Sequence, residues 1–345
     1  MKLSVYMITQ EVNPDASILG FIWNWIEAMA HKVKELHVAA YNLHRTEELP
    51  ENVHCSRFSY ANLPKTWVEI ISFRLSGRLD LVFAHMCPEF VLAITLPCKI
   101  LRIPIVLWYS HKHVDLKLKL ACLFSNKVLT GYRGGCTVAG RKLVVMGHGI
   151  YVPESRISKR NVIVSVGRIS RIKEFEVAIR AMPRIVMASK SIMLKIVGDV
   201  YDKNYFEELL ALARELGVEN NLKFVGRVPF SRIGNIYRSA ILSINTDKYG
   251  MSKTSLEAMF CGIPTLVRAD VFKDILGKYF EDCHYETSED LADKALFLIS
   301  NNEKRIELGC CVEKAVKEGV GLDSLIERMA KVFEEVGIGH VKTFL

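Results

Sequence analysis

The run Val162-Ile-Val-Ser-Val-Gly-Arg-Ile-Ser-Arg-Ile-Lys173 opens as a β-branched apolar stretch broken by one serine and closes on Gly167 followed by Arg168, Arg171 and Lys173. A strand apolar on both faces is buried on both faces, which is the condition of a parallel sheet covered by helices. In such a sheet the carboxyl end of a strand faces the ligand crevice, and the helix that follows offers free N–H groups and its positive end. Arg168 and Lys173, five apart across a short loop, can both reach a diphosphate, one as a planar fork and the other as a point charge. Taken alone, the stretch fits two surface cations on a βα loop equally well.

The same rhythm extends in both directions. Towards the C-terminus, 192–197, 222–225, 240–244 and 264–267 read as further strands, each followed by a loop and usually a helix. Towards the N-terminus, strands are expected at 3–9, 36–41, 79–84, 105–109, 127–130 and 142–146, with helices over 18–30, about 89–101 and about 116–124. Alternating β and α segments make a doubly wound parallel sheet. Between the two series, Gly147 to Lys159 carries Gly147, Gly149, Pro153 and several polar residues with little periodicity, so it reads as a linker, with His148 a linker residue. The expected division is a Rossmann-like domain over 1–150, a linker over 151–160, a second Rossmann-like domain over 161–330 and a C-terminal helix and tail over 331–345. Leu325, Ile326, Met329, Val332, Phe333 and Val336 fall at helical spacing, as on a helix packing against a domain.

Composition narrows the function classes. The 345 residues suffice for two domains at roughly 100 to 200 residues each. No stretch reaches the ~20 apolar residues that a spanning helix needs, and the N-terminus MKLSVYMITQ lacks the apolar core and cleavage site of a signal peptide. A cytoplasmic protein is expected. Nine cysteines occur without a CxxC pair or a Cys/His zinc spacing, so they read as reduced thiols and no metal site is expected. The net charge is +8, and from Lys99 to Lys142 nine Lys/Arg face the single acid Asp115. That excess suits phosphate-bearing ligands or peripheral contact with an anionic membrane surface; a solvated positive face is the equal alternative. The basic stretch lacks interleaved aromatics, against nucleic-acid binding. Absence of a GxxxxGK[ST] loop and of a strand-linked GxGxxG argues against an NTPase or a nicotinamide enzyme.

A second informative stretch runs from Ala240 to Val267: strand, glycine-containing loop, helix, Gly-Ile-Pro turn, strand. Its loop amides around Gly250, Met251 and Ser252 are expected to point at whatever occupies the crevice. Glu257 follows in the helix, where a carboxylate can accept hydrogen bonds from two vicinal hydroxyls. Its apolar neighbours Leu256, Ala258 and Met259 argue against a solvated position, and a charge in such company needs a partner.

Gly-Arg-x4-Lys at 167–173, Val-Gly-Asp at 197–199, Phe-Val-Gly-Arg-Val at 224–228 and Ser-Leu-Glu-Ala-Met-x-Cys-Gly-Ile-Pro at 255–264 occur in the order seen in one family. The chain resembles the family 4 retaining glycosyltransferases of GT-B fold, strongly from about Asn161 to Val336. The resemblance is looser before that, where Pro104 to His111 and Gly147 to Ile150 look like N-domain signposts. It implies an α/β protein of two Rossmann-like domains facing a central cleft. The implied activity is transfer of a sugar from a nucleotide diphosphate-sugar, UDP- or GDP-linked, to a hydroxyl on a glycan, lipid or small molecule, with retention and without metal or other cofactor.

By the same resemblance, Arg168 and Lys173 grip the donor diphosphate and Glu257 holds the ribose. The backbone at Arg227 and Val228 forms the wall for the base, the Gly250 to Ser252 amides face the phosphates and sugar, and His111 contacts the transferred sugar. Two departures stand out. The family's first glutamate, eight residues before Glu257, is here Tyr249, and the adjacent glycines near the acceptor are replaced by Asp15-Ala-Ser-Ile-Leu-Gly20. Tyr249 thus stands at a donor position and Gly20 at an acceptor position whose contacts do not carry over directly. The rival readings are a non-catalytic GT-B scaffold or partner subunit, and a nucleotide-sugar epimerase on the same architecture. His85 fits a core or a crevice position.

Overall fold

The computed structural model describes residues 2–16, 19–111, 113–153 and 161–341. The chain forms two compact units, one of Met1–Gly149 with Val320–Leu345 and one of Ile150–Gly319. Each is built on a parallel sheet. In the first unit the strands are β1 (Ser4–Val12), β2 (Glu35–Leu43), β3 (Val53–Arg57), β4 (Leu81–His85), β5 (Ile105–Trp108), β6 (Lys127–Thr130) and β7 (Leu143–Val145), in the order β3-β2-β1-β4-β5-β6-β7. In the second they are β8 (Val162–Val166), β9 (Met193–Val197), β10 (Leu222–Gly226), β11 (Leu242–Asn245) and β12 (Thr265–Val267), ordered β10-β9-β8-β11-β12. These are the two doubly wound, Rossmann-like units that the alternating pattern implies.

Every residue of β4 is buried, as expected of a strand covered on both faces. Its alternate residues Val82 and Ala84 join a core with Tyr6, Ile8, Phe90 and Ile94, under the helices Leu63–Leu75, Pro88–Ile100 and Leu116–Phe124. Phe83 points the opposite way and meets Phe333 at a ring separation of 5.4 Å. There the helix Leu322–Val341 packs beside Phe21–Ala30.

The C-terminal apolar stripe therefore does pack on a domain, but on the first one. Val320 onward joins the first unit, whereas the sequence division carried the second domain to 330. The segment read as a linker is firmly held where it is described. Arg328 donates from Nη2 to the Met146 carbonyl at 2.6 Å, and Gly149 lies at φ 63° where a Cβ would stand 2.4 Å from Leu325 and 2.9 Å from Trp25. Only glycine allows this backbone to approach so closely with that φ. Val152 lies in the core of the second unit, and Arg238 donates to the Pro153 carbonyl at 3.0 Å. The remaining linker residues, 154–160, lie outside the described residues. The helix expected from Ile18 is described from Phe21; Ile18 itself lies outside.

β3 and the helix Leu63–Leu75 carried no clear sequence signal: β3 reads VHCSR at the sheet edge, none of it fully buried. Among the described residues no helix is long and apolar enough to cross a membrane.

Candidate functional site

The order of the second sheet reverses between β8 and β11, so the loops that leave their carboxyl ends diverge and open a crevice. Those loops are Gly167–Lys173 and Thr246–Ser252, the two stretches singled out by sequence. Side-chain hydroxyls tie the two stretches together. Ser165 donates to the Ile244 carbonyl at 2.8 Å, Thr254 to the Val166 carbonyl at 2.8 Å, and the Thr246 hydroxyl to the Lys173 carbonyl. The Val-Gly-Asp turn presses on the same place. A Cβ on Gly198 would lie 2.0 Å from the Gly167 carbonyl oxygen, which accounts for glycine there.

Lys173 reaches across to donate to Asp247 Oδ2 at 2.9 Å; the two side chains are 22% and 10% exposed. Asp247 Oδ1 accepts the amides of Tyr249 at 3.0 Å and Gly250 at 3.1 Å. Asp247 is thus the pivot of the loop, a buried carboxylate that sequence reasoning did not single out. The visible signal was its place two residues past β11, where side chains enter the crevice. One expectation changes in consequence. The Gly250 amide, expected to face a ligand, is engaged by Asp247 because a charged acceptor lies within the same turn. Met251 follows it, and the Ser252 hydroxyl pairs with Thr254 at 2.7 Å. Arg168 is exposed, its guanidinium 5.5 Å over the Tyr201 ring, and Tyr249 also projects outward.

Glu257 is buried in the helix Lys253–Phe260, as its neighbours implied. The Tyr237 hydroxyl donates to its Oε2 at 3.0 Å. Burial raises the Glu257 carboxyl above its ordinary range, opposed by Lys253 one turn earlier and by the Tyr237 hydrogen bond. Desolvation pushes Lys253 down to about 8, and burial beside Glu257 raises the Tyr237 phenol. Arg227 is exposed and Val228 half-buried just past the carboxyl end of β10, two strands from β8.

The other two assigned residues belong to the first unit. His111, exposed beyond β5, donates its backbone N–H to the Gly135 carbonyl at 2.9 Å, and its Nδ1 accepts from the His113 amide at 3.1 Å. In the neutral ring this leaves the proton on Nε2. Gly20 precedes Phe21–Ala30, and a Cβ there would lie 2.6 Å from the Ala16 carbonyl oxygen, too close to fit. His85 is a core residue at the β1/β4 reversal, its Nδ1 3.1 Å from the Thr9 hydroxyl and its ring edge-on to Trp25. His148 stacks with Tyr132 at 5.9 Å inside the first unit.

Residues 151–310 match the family described as glycosyl transferases group 1. The matched stretch spans most of the second unit. Among curated proteins, a D-inositol 3-phosphate glycosyltransferase of Segniliparus rotundus is 26% identical over 107 residues, covering 30% of this chain and 24% of the relative. Spore coat protein SA of Bacillus subtilis is 21% identical over 187 residues, 51% of this chain and 49% of the relative. The chain therefore matches less than half the length of either. Among solved structures, Anabaena HepE in complex with UDP and glucose superposes with a TM-score of 0.71 at 16% identity, over 96% of this chain and 100% of HepE. At that identity the likeness establishes the fold. The four motifs quoted from the sequence all fall within residues 151–310 of that match.

Proposed function

We propose that the chain is a retaining glycosyltransferase that moves a sugar from a UDP- or GDP-sugar to a hydroxyl acceptor on a glycan, lipid or small molecule. The observation that carries this reading is the cationic loop Gly167–Lys173 at the β8/β11 reversal, with the buried carboxylate Glu257 one helix away. A diphosphate needs fixed positive charge, and Arg168 with Lys173 supply it without a metal. Asp247 is the counter-ion that holds the Lys173 ammonium in place until a diphosphate takes over the contact. Glu257, already oriented by Tyr237, accepts the ribose hydroxyls, and the backbone at Arg227 and Val228 lies along the base. Assignment of His111 to the transferred sugar, and of Gly20 to the acceptor side, rests on the resemblance alone.

Retention by double displacement requires a nucleophilic carboxylate and a second acid/base group. Asp247 is committed to Lys173 and two amides, and Glu257 to Tyr237, so a front-face route fits better. In that route the glycosidic bond to the diphosphate breaks on the face from which the acceptor oxygen attacks. The acceptor proton passes to the departing phosphate, whose charge Arg168 and Lys173 balance. The expected setting is cytoplasmic.

Calorimetry with UDP, GDP and ADP on the wild type, Lys173→Ala and Glu257→Ala tests this directly. One nucleotide should bind and be lost from both variants. A well-folded protein that binds none of them would leave the non-catalytic scaffold as the better account.

A further inference from the structure

The helices Leu63–Leu75, Pro88–Ile100 and Leu116–Phe124 pack in series as one layer over the first sheet. Seven of the seventeen exposed large apolar side chains among the described residues sit on these three helices of 13, 13 and 9 residues. That is a concentration far beyond their tenth of the chain. Leu116–Phe124 shows the reason most clearly. Leu118, Ala121 and Cys122 face the core, yet Leu116 (70% exposed), Leu120 and Leu123 (64% exposed) recur at i, i+4 and i+7 on the outer side. A helix that only needed to cover the sheet would be polar there. The neighbouring helix repeats the feature with Leu96 and Ile100, the latter 70% exposed, and Leu63–Leu75 with Val68 and Leu75.

The most exposed charged residues on this surface are cations. Lys65, Lys99, Arg102, Lys117 and Lys119 are all exposed. The acids nearby are engaged: Glu89 pairs with Lys117 at 2.9 Å, Asp115 caps the Leu118 amide at 2.7 Å, and Glu69 turns inward to accept from Tyr6 and Ser56. Aliphatic ridges among lysines are what an interfacial helix presents to lipid, with leucines entering the acyl boundary and lysines at the headgroups. A second copy of this face would set cation against cation, and nucleic acid would call for exposed aromatics rather than leucines.

We infer that this three-helix layer docks on an anionic phospholipid surface. The inference is independent of the donor site, which lies in the other unit.

Vesicle flotation of the full chain tests it, with phosphatidylcholine vesicles with and without phosphatidylglycerol. The wild type should float only with the anionic vesicles and be released by salt. Lys99→Ala and Lys119→Ala should each weaken binding about fivefold. A Leu116→Gln/Leu120→Gln/Leu123→Gln variant should abolish flotation while keeping its thermal melt and nucleotide binding, since all three side chains are exposed. No flotation at low salt, or flotation unchanged by both sets of variants, would overturn the inference. So would a wild-type dimer, seen by light scattering without vesicle binding, that the leucine variant dissociates.

Discussion

Replacing Asp247 separates two roles that one carboxylate performs: it neutralises Lys173 through Oδ2 and nucleates the 247–250 turn through Oδ1. At 2.9 Å the pair attracts with on the order of 6 kcal/mol at an effective dielectric of about 20, most of it offset by desolvation of the two groups. Because the ammonium keeps a path to water, Asp247→Asn should cost about 1–3 kcal/mol of stability. Asn retains an acceptor for the two amides. Asp247→Ala should cost about 1–2 kcal/mol more, the worth of two amide hydrogen bonds. For ligand binding the sign reverses. A phosphate on Lys173 would sit about 5–6 Å from the Asp247 carboxylate, a repulsion of about 1.5–3 kcal/mol, so Asp247→Asn should tighten UDP or GDP at least tenfold. Urea unfolding gives the first quantity and calorimetry at low salt the second. If Asp247→Asn weakens nucleotide binding as much as Lys173→Ala does, Asp247 contacts the ligand and the counter-ion reasoning fails.

Three further outcomes follow from packing and titration. Gly198→Ala forces a Cβ onto the Gly167 carbonyl and should destabilise by at least about 3 kcal/mol, measurable by urea unfolding. Glu257 has its carboxyl pKa raised in the folded chain above 4.5, so its contribution to stability is complete below that pH and is lost as pH rises through the folded value. Relative to Glu257→Gln, the wild type should therefore lose stability across that window; a pH-independent difference would count against the buried-charge account. Lys142 donates its ammonium to the Cys122, Leu123 and Ser125 carbonyls at 3.0, 2.7 and 2.7 Å, closing the end of the helix Leu116–Phe124. Lys142→Met should lower stability by about 1.5–3 kcal/mol, read from the same unfolding curves.

What could be read in the sequence was whatever leaves a local trace. The β8 run shows its double burial in its composition, and the apolar neighbours of Glu257 announced that it would be buried. Asp247 left no such trace because its meaning depends on a lysine 74 residues earlier. β3 escaped because an edge strand needs little apolar content, and its pairing with β2 is a property of the sheet. Gly147 and Gly149 looked like linker residues since the same amino acid serves slack chain and tight packing; only the arrival of Leu325 and Arg328 distinguishes the two.

That late arrival orders events during synthesis. Residues 1–149 leave the ribosome first, but Phe83 lacks its contact with Phe333, and the helix Phe21–Ala30 its neighbour, until the helix Leu322–Val341 emerges. At about 5–20 residues per second, the intervening 150–319 take roughly 10–30 s to translate. During that interval the second unit, continuous in sequence, can finish folding while the first still lacks its last helix. The nascent chain thus matures in the reverse of its written order, and its vulnerable period, when a chaperone or a protease would find it, belongs to the half that was made first.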